Sequence, residues 1–238
     1  MILLIGGEKG GTGKTTLATN LAAKRALAGR DVLLVDTDAQ GSASYWAQSR
    51  GEAGQRRVAC VQKFGKGLKA EVLDLANRYQ DIVIDAGGRD SAELRAALVV
   101  AGRAYIPVQP SQFDIWTLDR MDELVGAARG FNPGLRAFVV VSRCSTNPSV
   151  SDARDAAEIM ADFANLELAG TAVRDRIAYR KAAREGLCVD EIKPRDAKAS
   201  EEMQALYEEA FQCSNPRPAP SAGRESAGGS RLADRSPS

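Results

Sequence analysis

Gly6-Gly7-Glu8-Lys9-Gly10-Gly11-Thr12-Gly13-Lys14-Thr15-Thr16 follows the apolar run Ile2-Leu3-Leu4-Ile5 and leads into a stretch where Leu17, Leu21, Ala22 and Leu27 recur at near-helical spacing. Strand, glycine-rich loop and helix, in that order, form the context in which a loop cradles phosphate. Gly10, Gly11 and Gly13 carry no side chains to hold phosphate oxygens away, so consecutive backbone N–H groups can converge on an anion while the next helix offers its positive end. The segment Gly10, Gly11, Thr12, Gly13, Lys14, Thr15 and Thr16 is therefore the candidate nucleotide cradle. Lys14 would neutralise the β/γ phosphates as a point charge, and the Thr15 hydroxyl would take one Mg²⁺ position beside water and phosphate. Glu8 stands where the generic pattern has glycine, and a second lysine, Lys9, precedes the usual one by five residues. That is the deviant form of the Walker A loop.

The 238 residues, 44% hydrophobic and with a formal charge of +1, suit a single α/β domain able to bury a full core. No stretch of about 18 apolar residues exists, and the N-terminus enters the first strand at once, so neither a membrane span nor a secretory signal is expected and the predicted compartment is the cytoplasm. Histidine is absent, which excludes histidine catalysis. Cys60, Cys144, Cys188 and Cys213 are widely spaced without a CxxC pair and read as small hydrophobes rather than zinc ligands. From Ser214 to Ser238 the chain is rich in Pro, Gly, Ser and Arg with a lone Leu232, a composition that cannot offset ordering entropy. The expected organisation is a folded domain over 1–213 and a disordered tail over 214–238.

Strands are predicted at Ile2 to Ile5, Asp31 to Val35, Arg57 to Val61, Ile82 to Ile84, Ala104 to Val108, Ala137 to Val141 and Leu166 to Thr171, with helices in most gaps. Runs such as Val32-Leu33-Leu34-Val35 and Phe138-Val139-Val140-Val141 lack polar alternation, as strands covered on both faces do. The fold class is α/β, a doubly wound and mostly parallel sheet whose ligands bind at the carboxyl ends of the strands. Two acidic segments fall at such ends. Asp36-Thr37-Asp38-Ala39-Gln40 places two carboxylates at spacing two, one to approach a Mg²⁺ shell and one to approach a water beside the γ-phosphate. Ile82-Val83-Ile84-Asp85 is an apolar strand ending in an acid, the Walker B arrangement. The helix carrying Trp116, Leu118, Met121, Leu124 and Val125 has an apolar stripe that reads as core, with an interface as the alternative.

Together the Lys9-to-Thr16 loop, Val35-to-Gly41 and Ile84-Asp85 resemble the ParA/MinD superfamily of ATPases. Ile106-Pro107-Val108-Gln109-Pro110-Ser111 is similar to the family's strand and loop after Walker B, and Arg176-Ile177-Ala178-Tyr179-Arg180 with Ala182, Gly186 and Val189 to its C-terminal helix and turn. The resemblance covers roughly residues 1 to 213 and is nearest to small ParF-like plasmid partition ATPases, since the loop begins within ten residues of the start. It implies an ATP- and Mg²⁺-dependent switch in which two ATP-bound subunits form a sandwich dimer and Lys9 reaches the partner's phosphates. It also implies Asp38 on the attacking water, Asp36 and Thr15 nearer the Mg²⁺, Asp85 in its outer shell, and Ser142, Arg143, Arg174 and Asp175 bordering the adenine. Many relatives carry a proline after Walker B, whereas this chain reads Asp85-Ala86-Gly87-Gly88-Arg89.

The implied activity is nonspecific binding of nucleoid DNA by the ATP dimer, released when a ParB/ParG-like centromere-binding adaptor stimulates an otherwise weak ATPase. Arg174, Arg176, Arg180, Lys181, Arg184, Lys193, Arg195 and Lys198 outnumber Asp175, Glu185, Asp190, Glu191 and Asp196, which makes this segment the candidate DNA surface, with Arg180, Lys181 and Arg184 as its contacts. An ordinary solvated helix face is the alternative for those cations. Relatives of the same switch position carboxysomes, chemoreceptor arrays or conjugation machinery, and a MinD-like membrane cycle would require a terminal amphipathic helix that this chain does not supply. A metabolic enzyme of the same fold is the remaining alternative.

Overall fold

The computed structural model describes residues 1–88, 91–110, 115–146, 156 and 158–212, with the side chains of 115 and 116 left out. Cys213, the tail over 214–238, Arg89, Ser111 and the Trp116 side chain therefore lie outside the described residues. In chain order the elements are β1 (Ile2–Ile5), α1 (Lys14–Leu27), β2 (Val32–Asp36), α2 (Ser42–Glu52), β3 (Ala59–Gln62), α3 (Leu68–Ala76), β4 (Asp81–Asp85), α4 (Ala92–Val100), β5 (Arg103–Val108), α5 (Ile115–Arg129), β6 (Arg136–Cys144), β7 (Glu167–Leu168), β8 (Val173–Arg174), α6 (Ile177–Arg184) and α7 (Ala197–Gln212).

The strands join in the order β3-β2-β4-β1-β5-β6-β7, with β8 also on β6, and every pair is parallel. All five residues of β2 and of β4 are buried, which is why Val32 to Val35 and Ile82 to Ile84 are unbroken apolar runs ahead of the final acid, while buried Asp81 at the start of β4 pairs with Arg25. One core packs α1, α2, α6 and α7 on one face of the sheet through residues such as Leu17, Trp46, Tyr179 and Met203. The other packs α3, α4 and α5 on the opposite face through Val72, Leu98 and Met121. Leu118, Met121, Leu124 and Val125 of α5 are core residues, as their spacing suggests.

Most strand ends shift by a few residues from the sequence reading, and two departures have a local reason. Helix α1 starts at Lys14, before the first apolar position, because Gly13 at φ 95° closes the loop and the first turn faces the cleft rather than the core. The stretch expected as one strand over Leu166 to Thr171 pairs only at Glu167–Leu168, since the Gly170 N–H turns to the Glu209 carboxylate, and the chain rejoins β6 at Val173–Arg174. Cys60, Cys144 and Cys188 are free thiols, the last two buried. Among the described residues, no helix is long and apolar enough to cross a membrane.

Candidate active site

Central strand β1 has β4 on one side and β5 on the other: the chain leaves β1 for β2 on the β4 side and leaves β4 for β5 on the far side of β1, and this reversal opens a crevice at the carboxyl ends of the central strands. The register aligns Ile5 with Asp85 and Asp85 with Asp36, bringing the phosphate loop and both strand-end acids to one level. A cleft of about 770 Å³ opens there. Gly10, Gly11, Gly13, Lys14, Thr15 and Thr16 line it, with Asp38, Gly87 and Gly88 opposite. A Cβ on Gly10 or Gly11 would meet nothing within 4 Å, so the loop presents bare backbone to the cleft. The Gly10, Gly11 and Gly13 N–H groups have no hydrogen-bond acceptor among the described residues, as an anion cradle requires.

Lys14 Nζ donates to the Lys9 carbonyl at 2.6 Å. Its burial lowers the ammonium's pKa below the usual lysine value, while the carboxylates of Asp85 and Asp38 act in the opposite direction. Asp85 is buried at the end of β4, and among the described residues neither of its oxygens has a hydrogen-bond partner. Burial pushes its carboxyl up to about 7, and the Asp36 and Asp38 charges push the same way; the nearby Thr15 hydroxyl and Lys14 ammonium oppose them without prevailing.

Asp36 is engaged differently. Its Oδ1 accepts from the Asp38 N–H at 3.1 Å, and its Oδ2 accepts from both the N–H and the hydroxyl of Ser44 at 2.9 and 3.0 Å. Asp36 thus fixes the loop that carries Asp38 and does not line the cleft. Asp38 does line it, with Oδ1 accepting from the Gln40 N–H at 3.0 Å. Ser44 went unnoticed in the sequence because a serine in the first turn of a helix is common and carries no motif.

Gly88, just past the acid that ends β4, sits against the phosphate loop. A Cβ there would come within 3.1 Å of the Gly10 nitrogen and 3.2 Å of Lys14 Nζ, so glycine permits the contact between the two loops.

Beside Gly13 and Thr16 lies a smaller pocket lined by Ser142, Arg143, Arg174 and Asp175, the residues expected at the adenine. Arg180 lines the same pocket, 3.9 Å from Asp175, although the sequence grouped it with the DNA contacts. Arg180, Lys181 and Arg184 are exposed along one face of α6, with Ile177 63% exposed beside them. The neighbouring Arg174 and Arg176 pair with Glu202 at 3.2 and 2.7 Å, so the basic surface is narrower than the residue count suggests. Buried Arg50 anchors the far end of this helix, donating to both oxygens of Glu191 at 2.7 and 2.9 Å and to the Gly186 carbonyl at 3.1 Å.

Residues 3–189 match the family described as the CobQ/CobB/MinD/ParA nucleotide binding domain. The chain belongs to this family. It is 30% identical over 88% of its length, and 95% of the relative's, to the maintenance of carboxysome distribution protein A of Halothiobacillus neapolitanus. The structure of apo McdA from Cyanothece superposes with a TM-score of 0.69 at 17% identity, covering 87% of this chain and 98% of that one. The cell division ATPase MinD of Pyrococcus furiosus superposes at 0.66 and 21% identity, covering 87% and 97%. The mostly parallel sheet with helices on both faces is thus the fold of this ParA/MinD group.

One consequence for this nucleotide-binding domain follows from Asp85. An acid whose native pKa of about 7 exceeds its ordinary value of 3.8 holds its proton more tightly when folded, so its contribution to stability falls as pH rises through that window and stays lost above it. Asp85→Asn is therefore expected to stabilise the nucleotide-free protein at pH 8, by on the order of a few kcal/mol at most, and to change it little at pH 4. Melting temperatures of both proteins at the two pH values check this. Equal shifts at both would contradict the burial of an ionisable Asp85.

Proposed function

We propose that this chain is an ATP-dependent, dimerising switch ATPase that rides on nonspecific DNA and positions a cargo with the help of a partner that stimulates hydrolysis. The observation that carries the proposal is the cleft itself, where the bare glycine backbone of the phosphate loop, Lys14 and Asp38 meet. Lys9, the signature lysine of the family resemblance, is proposed to serve the phosphates of a second subunit.

In the proposed site Lys14 and the loop N–H groups hold the phosphates of ATP, and the small pocket beside Gly13 takes the adenine between Arg174 and Asp175. Mg²⁺ would supply Lewis-acid neutralisation of the phosphate charge. The residues present fit it: the Thr15 hydroxyl is one oxygen ligand, and the two unpartnered oxygens of buried Asp85 would hold its water shell. No three acidic, cysteine or histidine side chains among the described residues converge to bind a metal unaided, so phosphate and water must complete the shell. Asp36 keeps the Asp38 loop in place. Asp38 orients the attacking water and accepts its proton, while the activating partner supplies what the isolated chain lacks for rapid turnover.

A relative matching nearly the whole chain is named for carboxysome distribution, which favours a cargo of that protein-body type. Partition of a plasmid or chromosome through a ParB/ParG-like centromere-binding adaptor is the second reading, carried by the likeness to ParF-like partition ATPases. Both place the ATP dimer on the nucleoid in the cytoplasm, and both use DNA as the track. The track itself is testable. Replacing Arg180, Lys181 and Arg184 together by alanine is expected to flatten the log-log salt dependence of DNA binding in ATP by about 2.7 per subunit, roughly 0.9 for each neutralised phosphate. A slope equal to that of the wild type would remove DNA from this face of α6.

A further inference from the structure

Side chains from two strand ends hold the phosphate loop by its carbonyls. Gln109, just past β5, donates Nε2 to the Gly11 carbonyl at 2.7 Å. Arg143, near the end of β6, donates Nη1 to the same carbonyl at 2.8 Å. Its neighbour Ser142 donates Oγ to the Thr12 carbonyl. Gly11 has φ 75°, and Arg143 has φ 54°, a left-handed backbone that is uncommon outside glycine. Such positions are held by their surroundings and cluster at functional sites.

We propose that Gln109, Arg143 and Ser142 form a carbonyl clamp that pre-shapes the phosphate loop, so that Gln109 and Arg143 are positioning residues for the polyphosphate rather than contacts to the base. The proposal rests on the nucleotide-binding reading. In a trans peptide the carbonyl and the following N–H point to opposite sides. Holding the Gly11 and Thr12 carbonyls toward the residues at the ends of β5 and β6 therefore turns the Thr12 and Gly13 N–H groups the other way. The clamp answers a weakness in the loop's own composition. The glycines that admit phosphate also permit the peptides to flip, and a flipped Gly11–Thr12 peptide would present an oxygen where an anion must bind. Two donors on one carbonyl fill both of its lone pairs and oppose that flip. Arg143 borders both the cleft and the smaller pocket, and its guanidinium is committed to the Gly11 carbonyl on the phosphate side.

The test uses the full chain with ATP, GTP and inorganic tripolyphosphate, each competing against a fluorescent ADP analogue. Gln109→Leu and Arg143→Ala are each expected to weaken ATP and tripolyphosphate by about 3- to 10-fold, the worth of one hydrogen bond. The double variant should lose more than the product of the two single losses, because the first removal leaves one donor on the carbonyl and the second leaves none. Throughout, the ratio of ATP to GTP affinity should stay constant. Arg143→Lys, which keeps a donor, should bind within about 2-fold of the wild type, a result that a general packing role for Arg143 does not produce. The clamp is overturned if the double variant binds tripolyphosphate as the wild type does, or if the ATP to GTP ratio shifts in step with the loss, which would return Arg143 to the base. A wild type that binds none of these ligands would overturn the nucleotide-binding reading itself, and would be seen before any variant is made.

Discussion

Lys14→Ala is expected to weaken ATP binding by about 100-fold or more, the largest single effect on nucleotide affinity. A charge-assisted contact is worth up to about 3 kcal/mol, and a factor of ten corresponds to about 1.4 kcal/mol. The environment of Lys14 makes the upper end appropriate. It is buried, it bonds the loop's own Lys9 carbonyl, and it is the cation that faces Asp85 and Asp38. Removing it deletes the counter-charge to the phosphates and leaves the carboxylates of this cleft to repel them. Titration of a fluorescent ATP analogue measures the loss. Affinity within about 3-fold of the wild type would mean that phosphates bind elsewhere, since even one neutral hydrogen bond is worth that much.

Asp38→Ala acts on turnover rather than on affinity. Asp38 lines the cleft without closing it, and its loop is already fixed by the bonds from Asp36 to the Asp38 N–H and to Ser44. The substitution should therefore spare ATP binding while lowering partner-stimulated turnover by about 10² to 10⁴, the range for loss of a positioned acid-base group. The ATP-bound state then persists. A variant that turned over at the wild-type rate would move the water-activating role away from Asp38.

Much of this site was legible before any coordinates because phosphate binding constrains the backbone. The glycines at 10, 11 and 13, Lys14, and the acids ending two apolar strands are demanded by local geometry; the glycines and Lys14 line one cleft with Asp38, while Asp36 and Asp85 stand in register at the strand ends beside it. Asp36 shows where that legibility stops. Its spacing from Asp38 suggested a shared metal role, yet hydrogen bonds from Ser44, eight residues on, decide what its oxygens do. Gln109 was visible only as part of a family-like segment. Its contact with Gly11 spans 98 residues, and no periodicity encodes such a distance. The basic segment misled in part for the same reason, since Glu202, far along the chain, takes up Arg174 and Arg176.

In the proposed switch ATP joins two subunits through Lys9. Molar mass in solution, measured by light scattering for the Asp38→Ala protein and for the same protein carrying Lys9→Ala, tests it most directly. With ATP the first should be a dimer and with ADP a monomer, while the second should bind ATP yet remain a monomer. A dimer that forms equally well without Lys9, or with ADP as readily as with ATP, would contradict the switch.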